Sequence, residues 1–114
     1  MTRFALACAA LLVAGPAGAA EQRMLFWNLT TDAITNLVMA PAGTGTFGPN
    51  QCANDRDGSV DHDERLRLTG IQPGRYDVRL TQKHGRVCTI PGVEVRAEGR
   101  VAFSLADEDL KDCK

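Results

Sequence analysis

Through most of this chain apolar residues recur at every second position, and each alternating segment is cut short by glycine or proline. A period of two places side chains on opposite faces of a strand, whereas a helix would need a period near 3.6. The clearest case is "RYDVRLTQ" (75–82). Tyr76, Val78 and Leu80 face one way there, and Arg75, Asp77, Arg79 and Thr81 face the other. "RMLFWNLT" (23–30) is apolar on both faces, with Met24, Phe26 and Asn28 opposed to Leu25, Trp27 and Leu29, which predicts a central or well-covered strand. Trp27, the only tryptophan, is expected to fill the core beside Phe26 or Phe103.

The remaining elements follow from the same two signals. "AITNLVMAP" (33–41) reads as a strand after the turn residues Thr30, Thr31 and Asp32, and 42–51 is too rich in glycine to be anything but a loop. Leu66 and Leu68 alternate with arginines in a half-exposed strand. "GIQPG" (70–74) turns, "KHGR" (83–86) closes a hairpin, and 87–96 is a strand interrupted at Pro91 and Gly92, the mark of an edge or a bulge. Residues 99–106 supply the last strand, and Ser104 with Asp107 predicts a capped short helical turn at the C-terminus. Six to seven short strands with turn signals about every ten residues predict an all-β fold, a small antiparallel β-sandwich of immunoglobulin-like type. A small barrel is the second architecture that this strand count allows.

The first twenty residues, "MTRFALACAALLVAGPAGAA", read as a secretory signal peptide. They have one arginine, an apolar run from Phe4 to Val13, the breaker Gly15-Pro16, and small residues before a mature start near Glu21. The run is shorter than the roughly 20 residues needed to span a bilayer. Residues 21–114 then form the β-sandwich domain, expected in the periplasm or outside the cell and free of the membrane once the signal is removed. A formal net charge of −1 argues against a nucleic-acid partner, which calls for a basic face.

Removal of Cys8 with the signal leaves Cys52, Cys88 and Cys113, an odd set that implies one disulfide and one spare thiol in an oxidising compartment. The expected pair is Cys88–Cys113, because Cys88 is held in a strand and Cys113 ends a segment with little else to anchor it. Closing that loop is worth about 3 kcal/mol in the chain-entropy model. No C-x-x-C occurs, so neither a zinc ribbon nor a thioredoxin-like motif is supported.

The stretch "CANDRDGSVDHDERLRLTG" (52–70) gathers Asp55, Asp57, Asp61, Asp63 and Glu64 around Gly58. Set against a calcium loop with Gly58 at the sixth position, Asp55, Asp57 and Glu64 fall on the third, fifth and twelfth, but the first is Ala53, which cannot coordinate. The flanks also predict a loop and a strand rather than two helices. A looser calcium or lanthanide site built from the same carboxylates is the alternative. The simpler reading is a solvated rim in which Arg56, Arg65 and Arg67 offset the negative charge. His62 and His84, with Ser59 and Ser104, lie in no spacing that suggests a nucleophile, a base and an orienting acid. Arg75 and Arg79 alternate with Asp77 and are placed to pair across strands with Glu94.

The runs "FWNLTTDAITNLVMAPAGTGTFGPNQ", "NDRDGSVDHDERL" and "GRYDVRLTQKHGRVC" together resemble a group of small exported bacterial proteins that carry a signal peptide and have no assigned activity. The resemblance implies that loop, acidic stretch and hairpin belong to one domain, and it transfers no catalytic or binding residue. The function expected from the sequence is therefore a non-enzymatic exported domain, without a cofactor, that binds a protein or small ligand through its loops. A periplasmic metal-binding protein using residues 55–64 is the alternative.

Overall fold

In the computed structural model, residues 24–114 are described; the expected signal peptide, the expected mature start near Glu21 and Cys8 lie outside the described residues. Six strands follow in order: β1 (Leu25–Leu29), β2 (Ile34–Pro41), β3 (Arg65–Arg67), β4 (Gly74–Gln82), β5 (Val87–Val95) and β6 (Phe103–Ala106). They make two three-stranded sheets, β3-β1-β6 and β2-β4-β5. The all-β fold expected from the alternation is the fold observed.

One apolar cluster lies between the sheets. Phe26 of β1, Leu66 of β3 and Phe103 and Leu105 of β6 meet Leu37 and Met39 of β2, Val78 and Leu80 of β4, and Cys88 and Ile90 of β5. Phe26 and Phe103 stack at its centre, with ring centroids 4.9 Å apart. Full burial of a side chain of this size stabilises the fold by about 1.5–3 kcal/mol before the entropy of ordering is set against it.

Three features depart from the sequence reading. The pairing is not wholly antiparallel: β1 and β6 run parallel, Phe26 opposite Phe103. A parallel pair needs a crossover, and here the whole second sheet supplies it; alternation reports that a strand exists but not which strand lies beside it. The terminal helical turn shrinks to a 3₁₀ turn, Asp107–Asp109, and its cap is not Ser104. The Asp109 carboxylate accepts instead from the Ala106 N–H at 2.8 Å. A further 3₁₀ turn, Gln51–Asn54, stands at the end of the expected loop and is capped by Asn50, whose side chain accepts from the Cys52 N–H.

The interruption in β5 is both an edge and a bulge. Tyr76 pairs with Val93 and Val78 with Ile90, so Asp77 alone stands opposite Pro91 and Gly92. Gly92 takes φ +64°, a left-handed conformation that a side chain would strain.

Candidate functional site

The acidic stretch is a loop zipped onto the end of β1. Asn28 N–H donates to the Glu64 carbonyl at 2.9 Å, and Asp63 N–H donates back to the Asn28 carbonyl at 2.6 Å. Two of its five carboxylates bond within the loop itself, and a third bonds to β1. Asp55 accepts from the Asp57 N–H at 2.9 Å, Glu64 from the Asp61 N–H at 2.8 Å, and Asp63 from the Trp27 indole N–H at 3.0 Å. Asp57 and Asp61 are exposed. Among the described residues no three His, Cys, Asp or Glu side chains converge into a set that could hold a metal ion.

Among the described residues, none of the arginines expected to neutralise this stretch, Arg56, Arg65 and Arg67, forms an ion pair with it. The ion pair among the described residues is Glu94–Arg96, and the Asp32 carboxylate meets the His84 imidazole; neither contact involves residues 55–64. Arg65 lays its guanidinium over the Trp27 ring, 4.2 Å from the centroid. Trp27 is therefore not in the core. It sits half-buried on the outer face of its sheet, clamped between a cation on its face and a carboxylate on its N–H. The core takes Phe26, and strict alternation then sends the neighbouring Trp27 outward.

On the other sheet, Arg75 and Glu94 stand opposite each other, yet Arg75 donates to the Gly92 carbonyl at 2.7 Å. Arg79 covers the Phe47 ring at 4.2 Å. Asp77 accepts from the backbone N–H groups of Gly43 and Gly92, both at 3.0 Å. These two bonds, that from Gly43 foremost, hold its carboxyl below the usual carboxylate range. The 42–50 loop is thus tied to β4 by its own contacts.

The histidines bind the β1–β2 turn from two sides. The His62 Nδ1 lies 2.8 Å from the Thr30 carbonyl, and the His84 Nε2 lies 3.2 Å from Asp32. Asp107 accepts from both the hydroxyl and the N–H of Thr31, which lower its carboxyl in that order. Cys52 is buried against the Ile34 carbonyl, and burial, with a smaller effect of the Asp55 charge, pushes its thiol up to about 11. A thiol this basic carries almost no thiolate at neutral pH and is a poor nucleophile.

What the sequence did not single out is a groove of about 470 Å³ between β5 and β6. Each of these strands is the last of its sheet, so the groove runs along two sheet edges. Ile90, Val93, Val101, Phe103 and Leu105 contribute its apolar lining, and Glu94, Arg96, Asp109 and Lys111 its charges. One end is closed by the Arg96 N–H, which donates to the Ala102 carbonyl at 3.1 Å. Toward the other end, the last residues of the chain lie along β5. The Val87 N–H donates to the Lys114 carbonyl at 3.0 Å, the Lys114 N–H donates back at 2.8 Å, and the Thr89 N–H donates to the Lys111 carbonyl at 3.1 Å. The Cys88–Cys113 disulfide, as expected, fixes this segment, and among the described residues Cys52 is the free thiol. The only hint of the groove in the sequence was the edge character of β5 at Pro91-Gly92; that β6 lies beside it follows from the parallel pairing, which no local pattern reports. Among the described residues no helix is long and apolar enough to cross a membrane. Comparison of the chain with protein-family models, with curated proteins and with solved structures returns no match.

Proposed function

We propose that this protein is an exported, non-catalytic binding domain that takes an extended polypeptide segment into the groove between β5 and β6. The observation that carries the reading is the meeting of two sheet edges over one apolar groove. A sheet edge presents backbone N–H and C=O groups that an added strand can pair with, and an apolar floor beneath it receives every second side chain of that strand. Charges of both signs on the rim suit a segment of mixed charge rather than a polyanion. The disulfide supports export, because such bonds persist in oxidising compartments.

Selection of peptides from a displayed random library against the purified protein tests this, followed by amide chemical-shift mapping with a selected peptide. Shifts centred on residues 90–96 and 101–105, and loss of binding in Val93→Asp, are the expected result. Shifts confined to residues 42–50 or 54–64, or selection of no peptide at all, would count against the groove.

A further inference from the structure

The segment that lies along the first half of β5 is held by few and separable contacts. Three backbone hydrogen bonds join residues 111–114 to Val87 and Thr89. Leu110 and Cys113 pack only partly buried against the core, and beyond these the Cys88–Cys113 disulfide is the fastening. The two cysteines differ in exposure, since Cys88 is fully buried while Cys113 is half-exposed. Lys111 belongs both to this segment and to the groove wall, because its carbonyl accepts from Thr89 while the residue lines the groove.

We propose that residues 110–114 form a strap over the β5 edge that a dithiol reductant releases while the two sheets stay folded. One thiolate of the dithiol attacks the Sγ of Cys113, the more exposed residue. The Cys113–Cys88 bond breaks, and Cys88 departs with the electron pair and takes a proton. The second thiolate of the dithiol then attacks its partner sulfur in the mixed disulfide and expels Cys113, which is protonated in turn. The dithiol loses two electrons and two protons and leaves as a cyclic disulfide; the protein gains both and holds two thiols. Release frees the N–H groups of Val87 and Thr89 and extends the open edge from Ile90 back to Val87. On the groove reading given above, on which this consequence rests, reduction lengthens the binding edge, and the strap acts as an internal stand-in for the strand that would bind there.

Amide hydrogen exchange of the purified protein, with and without dithiothreitol, tests the strap without any ligand. The expected result is exchange at Val87, Thr89 and Lys114 faster by about a hundredfold, the scale set by losing the local concentration that the cross-link imposes. Exchange at Leu80 and Phe26 is expected to stay unchanged. Unchanged exchange at Val87 and Thr89 overturns the proposal, because the strap then holds without its bond. Loss of protection at Leu80 and Phe26 overturns it as well, because the disulfide is then a staple of the whole fold. The Cys88→Ala/Cys113→Ser double variant is read by the same criteria without reductant, and failure of that variant to fold falls under the second. Peptide selection against both redox forms keeps the two readings apart. If exchange reports an open strap but neither form selects a peptide, the groove reading fails and the strap stands; if the reduced form gains no binding over an oxidised form that does bind, the gating is overturned.

Discussion

Asn28 shows how much one polar residue can organise at the end of a strand. It is fully buried, and all four of its hydrogen-bonding positions are used. The amide nitrogen donates to the carbonyls of Asp32 at 3.1 Å and Val60 at 3.0 Å, and the oxygen accepts from the Thr30 N–H at 2.9 Å and the Thr30 hydroxyl at 2.6 Å. The residue thus joins the β1–β2 turn to the acidic loop with no charge involved. Asn28→Ala leaves several of these groups buried without a partner, at a cost of about 1–3 kcal/mol for each such group. A loss of about 3 kcal/mol in total is expected, measured as a lower urea midpoint at unchanged slope. A conservative change on the outer face, such as Thr35→Ser, serves as the reference.

At the scale of the elements, the β4–β5 bulge is the part whose geometry is most demanding. Gly92 sits at φ +64°, and a Cβ there would lie 3.4 Å from an Arg75 guanidinium nitrogen. Gly92→Ala is therefore expected to cost about 1–2 kcal/mol, mainly from forcing an L-residue into the left-handed region, with the same urea measurement as the check. This element was legible beforehand, because proline removes a ladder donor and glycine permits the turn, and both are local properties of residues 91 and 92. The strands β4 and β5 were legible for the same reason, and the Cys88–Cys113 pair because three cysteines leave few pairings and Cys113 ends a segment with little else to anchor it. What escaped was whatever depends on partners remote in the chain. The outward Trp27 is decided by which face Phe26 must bury, the idle ion pairs of Arg65 and Arg75 by the aromatic ring and carbonyl within their reach, and the β5–β6 groove by a parallel pairing across most of the chain.

At the scale of the whole molecule, two expectations concern how its stability responds to solution conditions. Asp77 and Asp107 both have folded-state carboxyls lowered by the bonds they accept. A group depressed on folding contributes stability that is fully present above its unfolded value, about 3.9 for aspartate, and is lost as pH falls through the lower folded value. Stability is thus expected to fall below about pH 4, and the Asp77→Asn/Asp107→Asn pair to be less stable at neutral pH with a shallower acid limb. Thermal melts across that range read both. Calcium at millimolar concentration is expected to leave the melting temperature where it is, since Asp55, Glu64 and Asp63 are engaged with backbone amides and with Trp27, and Asp57→Asn is expected to do the same, since Asp57 is exposed. Occupancy at a hundredfold excess over Kd would instead add about 2.7 kcal/mol, several degrees in a domain of this size. The parallel pairing of β1 with β6 also sets a timetable for the newborn chain. Phe26 has no stacking partner, and β1 lacks one of its two neighbours, until Phe103 has been made. At roughly 5–20 residues per second that is a wait of several seconds. The β3-β1-β6 sheet therefore cannot be completed until the end of the chain is available, while β2-β4-β5 has no such wait, and a chain halted short of β6 shows its surroundings an unfilled strand edge and a bare aromatic ring.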